Sequence, residues 1–114
     1  VLTSLDQVDL DDVGLAGPIS ERVVKLAELT QKAGLDGVVC SAQEITAVRA
    51  ACGPDFKLIT PGIRPAWSSS DDQKRIVTPR DAVAMGTDVM VIGRPITKAD
   101  DPVKAAKRIV DELS

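Results

Sequence analysis

Val89-Met90-Val91-Ile92-Gly93-Arg94-Pro95 is the stretch whose reading decides the fold. Four apolar residues in a row, with no polar alternation, read as a strand buried on both faces. The run ends at once in Gly-Arg. A buried parallel strand that ends this way offers bare backbone N–H groups and a guanidinium at its carboxyl end, where α/β folds bind anions. This is half of a phosphate grip. Lys57-Leu58-Ile59-Thr60 reads as a similar strand, and the Pro61-Gly62-Ile63-Arg64-Pro65 that follows it is the candidate for the other half.

Working outward, the same unit recurs. Val1-Leu2-Thr3-Ser4 reads as the end of a strand that begins before residue 1. Leu5 to Gly17 is acidic and loop-like, with one short helical turn through Leu10. Ser20 is placed to cap a helix to about Ala33, with Val23, Leu26, Ala27 and Leu29 as its apolar face and Gly34 as its stop. Val38-Val39-Cys40 is the next strand, and Ser41-Ala42-Gln43-Glu44 has the pattern of a capping box for a helix to about Cys52. Gly53 ends that helix before the Lys57 strand. Thr78-Pro79 supplies an N-cap and a first-turn proline for a short helix to Gly86. Asp101-Pro102 opens the last helix, with Val103, Ala106, Ile109, Val110 and Leu113 as its stripe and Lys104, Lys107 and Arg108 as its wet face.

A weak repeat fits this register. Gly34-x-Asp36, Gly53-x-Asp55 and Gly86-x-Asp88 each lie between a helix and the following strand, the Gly closing the helix and the Asp steadying the turn. Strand and helix alternate four times. That implies a parallel sheet with right-handed crossovers, an α/β fold equal to half of an eight-stranded barrel. The whole of residues 1–114 reads as one domain with no internal linker.

Composition narrows the function. At 114 residues and 44% hydrophobic content, with Phe56 and Trp67 the only aromatics, the core is built from Val, Leu, Ile and Ala. A net charge of -3 and a pI near 4.8 speak against nucleic acid and anionic membranes as partners. No apolar run is long enough for a membrane span, and no signal peptide is visible. Cys40 and Cys52 are not spaced as a C-x-x-C pair and read as free thiols of the core. The absence of His removes Ser-His-Asp and Cys-His nucleophiles, histidine bases and most zinc sites.

The carboxyl ends of the expected strands bring together Thr3 and Ser4, Cys40 and Ser41, Pro61 to Arg64, and Gly93 and Arg94. Hydroxyls and guanidiniums dominate and no carboxylate is among them, which suits an anion and a polar ring better than acid–base chemistry. Plainer readings stand beside these. Gly93-Arg94 is also a turn with a surface Arg, Arg64 between prolines is also a solvated loop residue, and Trp67 also serves to cover an apolar patch. Ser41 is fully explained as an N-cap. Pro61 to Val77, about 17 residues rich in Pro, Ser and Asp, exceeds the usual connection.

Leu2-Thr3-Ser4, Gly34-Leu35-Asp36-Gly37-Val38-Val39-Cys40-Ser41, Thr60-Pro61-Gly62-Ile63-Arg64-Pro65, Asp72-Gln73-Lys74-Arg75 and Val91-Ile92-Gly93-Arg94-Pro95, in this order, resemble the C-terminal half of the orotidine 5'-phosphate decarboxylase family. The resemblance covers essentially the whole chain. It implies a (β/α)8 TIM barrel of which this chain supplies the last four βα units. It implies a cytoplasmic, homodimeric lyase that converts orotidine 5'-phosphate to UMP and carbon dioxide with no cofactor and no metal. Carried over by residue, Gln73, Gly93 and Arg94 hold the 5'-phosphate with Arg64 nearby, Thr3 and Ser4 face the pyrimidine, and the loop from Pro61 to Val77 closes over the ligand. The family's catalytic D-x-K-x-x-D cluster is missing. Asp55-Phe56-Lys57 is followed by Thr60 and Asp72-Gln73-Lys74 by Val77 where the second Asp belongs. The resemblance therefore implies a catalytic Lys upstream of Val1 and a 114-residue segment that is inactive alone. Two other readings share the phosphate grip: a sugar-phosphate epimerase or aldolase barrel, and a non-catalytic half-barrel that binds a phosphorylated ligand.

Overall fold

The structure is a computed structural model that describes residues 1–68 and 75–114. Helix α1 (Gln7–Asp12) starts at a reciprocal cap, in which Asp6 Oδ1 accepts from the Asp9 N–H and Asp9 Oδ2 accepts from the Asp6 N–H. Helix α2 (Ile19–Lys32) begins after Pro18 rather than at Ser20. The acceptor expected of Ser20 comes instead from Gln7, whose Oε1 takes the Ile19 N–H at 3.0 Å. Strand β1 (Gly37–Val39), helix α3 (Ile45–Cys52), strand β2 (Lys57–Thr60) and helix α4 (Pro79–Met85) follow, and then strand β3 (Val89–Met90). Helix α5 (Arg94–Thr97), which the sequence reading did not anticipate, and helix α6 (Pro102–Leu113) complete the chain. Thr78 and Asp101 cap α4 and α6 as expected, and Gly53 and Gly86 end α3 and α4.

Among the described residues the sheet has three parallel strands in the order β1-β2-β3. Val1–Ser4 makes no ladder with it. Thr3 and Ser4 turn instead of extending, in a turn closed by the Leu5 N–H on Leu2 O. The register sets Val38 beside Leu58, Val39 beside Ile59, and Ile59 beside Val89. Side chains alternate along a strand, so Val38, Cys40, Leu58, Thr60 and Met90 share the helix-covered face. There they meet Val23 and Ala27 of α2, Ile45 and Val48 of α3, and Ala82 of α4 in one core.

The opposite face carries Val39, Ile59, Val89 and Val91, and this corrects the opening expectation. Val89 and Val91 are about half exposed rather than buried on both sides, because no described element covers that face. The same one-sidedness corrects two helix stripes. Leu26 and Leu29 of α2 are exposed while Val23 and Ala27 are buried, and in α6 Ala105 and Ile109 are buried while Val103 and Val110 face out.

At the amino ends of the strands, Arg49 of α3 acts as a clasp. Its guanidinium donates to the carbonyls of Gly53, Pro54, Phe56 and Gly86, and to Asp88 Oδ2 at 2.8 Å. Asp88 also accepts from the Leu58 N–H, and these contacts hold its carboxyl below the usual range, the Leu58 hydrogen bond first and Arg49 next. Among the described residues of the three Gly-x-Asp turns, only this aspartate bonds across the strand ends through its side chain. Asp36 contributes its backbone carbonyl, which accepts from the Lys57 N–H.

Candidate functional site

The site lies at the other edge, where the strands end. After β1, Cys40 and Ser41 are buried, and Ser41 Oγ accepts from the Gln43 N–H, the capping role expected of it. It caps a 3-10 turn, Ala42–Glu44, that leads into α3. Glu44, the residue expected to complete the capping box, puts its carboxylate on Arg75. Burial pushes the Cys40 thiol up to about 11, with Glu44 adding to the shift.

After β2 the chain turns at Gly62, whose φ of +73° an L side chain adopts only with strain. A Cβ there would also lie 1.9 Å from Thr3 Cγ2, so the glycine is what lets Thr3 pack against this turn. The loop that follows is pinned at its base. Ile63 bridges to Val77, and the Arg64 N–H donates to Val77 O at 2.9 Å. Arg64 is only 5% exposed, so it is not a solvated loop residue.

After β3 the ladder continues by one bond, from the Val91 N–H to Thr60 O, and then breaks at Gly93. Gly93 precedes α5, its carbonyl accepts from the Ile96 and Thr97 N–H groups, and no atom lies within 4 Å of where a Cβ would stand. Arg94 is the first residue of α5 and is half-buried.

Arg64 and Arg94 meet across two adjoining clefts of about 200 Å³ each. One is lined by Pro61, Gly62, Ile63, Val91, Gly93 and Pro95 together with the two arginines. The other adds Trp67, Ser68 and Lys98. Among the described residues no carboxylate lines either cleft. Two guanidiniums with five fixed N–H donors each, a nearby ammonium and the open backbone at Gly93 can hold a phosphoryl dianion. Among the described residues they are joined by no carboxylate base for proton transfer.

The residues singled out from sequence are thus partly gathered. Arg64, Gly93 and Arg94 share one cleft. Thr3 is buried against Gly62, beside that cleft but not in its wall, and Ser4 is exposed in the turn. Gln73 lies outside the described residues. Trp67 does more than cover an apolar patch, for the Arg108 guanidinium of α6 stacks 4.7 Å from its ring centroid. Lys98 and the buried Glu44–Arg75 pair were missed. Lys98 sits after a helix too short to show a period, and Glu44 fitted a local cap. Among the described residues no three Cys, Asp or Glu side chains gather as a metal site, and no helix is long and apolar enough to cross a membrane.

Comparison with known proteins gives a consistent picture. The profile of the orotidine 5'-phosphate decarboxylase / HUMPS family matches residues 1–109. An orotidine 5'-phosphate decarboxylase of Paramagnetospirillum magneticum is 59% identical over 113 residues, which cover 99% of this chain and 48% of that protein. The enzyme of the same name from Geotalea uraniireducens is 58% identical, with 99% and 47% covered. Among solved structures, orotidine 5'-phosphate decarboxylase from Lactobacillus acidophilus superposes with a TM-score of 0.75 at 36% identity, covering 99% of this chain and 47% of that one. An uncharacterized conserved protein from Geobacillus kaustophilus gives 0.76, also at 36% identity, covering 100% and 46%. The chain spans about half the length of the curated relatives it matches. Its three-stranded sheet and helices correspond to about half of a (β/α)8 barrel.

Proposed function

The chain belongs to the orotidine 5'-phosphate decarboxylase / HUMPS family, and from that premise we propose that the complete protein converts orotidine 5'-phosphate to UMP and carbon dioxide without a cofactor. Within it, residues 1–114 form the C-terminal half of a single barrel and supply the grip on the substrate. Arg64, Arg94 and the Gly93 backbone hold the 5'-phosphate together with Gln73, while Thr3 and Ser4 face the pyrimidine. The observation that carries this reading is the meeting of two guanidiniums over clefts at the carboxyl edge of a parallel sheet. Barrels hold phosphate at that edge, commonly in the loops after their last two strands.

The chemistry needs little more from these residues than position. The C6–carboxylate bond breaks, carbon dioxide leaves, and the electron pair left on C6 takes a proton. The proton donor is a lysine of a D-x-K-x-x-D cluster, a pattern the 114 residues do not contain. It therefore belongs to the rest of the protein, and the segment alone does not decarboxylate. Contacts to the phosphate, far from C6, accelerate the reaction only where their binding energy is expressed at the reacting carbon. The apolar face of Val39, Ile59, Val89 and Val91 is then the inner wall of the barrel. A cytoplasmic homodimer completes the reading.

Incubation of the complete protein with orotidine 5'-phosphate, followed by the loss of orotidylate absorbance and the appearance of UMP, tests this directly. Turnover is expected without added metal or coenzyme. No turnover of orotidine 5'-phosphate beside turnover of a sugar phosphate would overturn the assignment in favour of an epimerase or aldolase.

A further inference from the structure

Glu44 and Arg75 are 4% and 6% exposed, and Arg75 Nη2 pairs directly with Glu44 Oε1. Arg75 Nε also reaches Gln43 Oε1 at 3.4 Å. The backbone of Arg75 is equally committed. Its N–H donates to Thr3 O at 3.1 Å, and its carbonyl lies 3.3 Å from where a Gly62 Cβ would stand, against which Thr3 Cγ2 is packed. One residue therefore joins three chain segments at the carboxyl edge of the sheet: Thr3, the turn after β1, and the turn after β2.

The pair is a poor choice if stability were all that it provided. Burial of two charges is costly, and an apolar pair of like volume commonly does as well. Here the pairing is incomplete, since Glu44 Oε2 and Arg75 Nη1 are buried without a hydrogen-bond partner among the described residues. Burial accordingly pushes the Glu44 carboxyl up, although Arg75 opposes the shift. Neither residue lines the clefts of Arg64 and Arg94. What the pair does provide is geometry: a planar guanidinium locked to the β1 turn fixes the Arg75 backbone, which in turn fixes Thr3.

We propose that Glu44 and Arg75 are a positioning pair for the base-binding side of the site, setting Thr3 in place independently of the phosphate grip. This rests on the reading of Thr3 as pyrimidine-facing given above. The test uses the complete protein and two ligands, UMP and ribose 5-phosphate, the second having the phosphate without the base. In Glu44→Gln, which keeps an acceptor but removes its charge, the affinity for UMP falls about tenfold, the difference between a charge-assisted and a neutral hydrogen bond, while that for ribose 5-phosphate is unchanged. Arg94→Ala weakens both ligands. Because Glu44→Gln leaves the buried Arg75 without a counter-charge, the double variant Glu44→Gln/Arg75→Gln, which buries no charge, gives the same comparison if the single variant does not fold. Equal losses on the two ligands, or a folded double variant with undiminished UMP affinity, would overturn the proposal and leave the phosphate reading intact. A wild-type protein that binds ribose 5-phosphate but not UMP would overturn both the base-side role of Thr3 and the pair's.

Discussion

Replacement of Gly62 by Ala in the complete protein should be among the most damaging single-methyl changes in this half of the barrel. Two separate costs meet at the position. An L residue at φ +73° is strained by about 1 kcal/mol or more relative to glycine. The new methyl would also stand 1.9 Å from Thr3 Cγ2 and 3.0 Å from Thr3 Cβ, far inside the contact distance of about 3.5–4.0 Å between carbons. Thr3 is 5% exposed and has nowhere to yield without pulling its carbonyl off the Arg75 N–H. Overpacking of this kind costs roughly 1–3 kcal/mol and the lost hydrogen bond about 1. The sum, about 3–5 kcal/mol, is a large part of the stability of an ordinary domain. Gly86→Ala is the matched control: its backbone is left-handed at φ 102° and ψ 29°, but the new methyl would meet only Ile45 Cγ2 at an ordinary 3.9 Å, so only the backbone strain of about 1 kcal/mol applies. Urea midpoints at unchanged slope report both values. Thr3→Ser in the Gly62→Ala background removes the closest clashing atom and should recover part of the loss. If Gly62→Ala costs no more than Gly86→Ala, the packing of Thr3 on this turn is wrong, and the placing of Thr3 beside the site falls with it.

Other expectations follow from single contacts. Arg94→Ala should lose roughly 2–5 kcal/mol of UMP binding and leave the binding of uridine unchanged, as calorimetry would read; an equal loss with uridine would exclude a phosphate role. Arg49→Met should destabilise the fold by about 2–4 kcal/mol, since four carbonyls and the Asp88 carboxylate lose their donor, with no effect on ligand affinity once folded. Asp88 has a depressed carboxyl pKa, so its stabilisation is present above the ordinary aspartate value and is lost as pH falls through the depressed one. Asp88→Asn should therefore be less stable than wild type at neutral pH, and the gap should narrow as pH falls below about 4 and close once the depressed value is passed; a gap that stays constant through that fall would contradict the contact. Cys40, 1% exposed and with its thiol pushed up to about 11, should resist iodoacetamide at pH 8 until the protein is unfolded, as mass spectrometry would show.

What the sequence made legible is local, and what it hid is long-range. Thr78-Pro79 and Asp101-Pro102 announce helix starts through groups three residues away, and Gly53 and Gly86 end helices through their own backbone. Lys57–Thr60 was readable for the same reason, as an apolar run between turns. Val89 and Val91 are apolar, yet periodicity does not say which neighbour covers them, and in these residues only one sheet face is covered. Leu26, Leu29, Val103 and Val110 mislead in the same way. Glu44 satisfied a local capping pattern, but its partner stands 31 residues away. The guanidinium of Arg49 likewise finds acceptors 37 and 39 residues on, at Gly86 and Asp88. In the candidate site, Gly93-Arg94 and Arg64 were visible because each follows a strand directly, whereas the closeness of Thr3 to Gly62 depends on a missing Cβ that no pattern marks.

The central claim is that Arg64 and Arg94 converge on one phosphoryl group at the carboxyl edge of this sheet. A crystal structure of the complete protein with UMP measures it most directly. The phosphate should lie in the cleft between the two side chains, with guanidinium nitrogens about 2.7–2.9 Å from its oxygens. A phosphate bound elsewhere in the barrel, with both arginines left to protein contacts alone, would contradict the account.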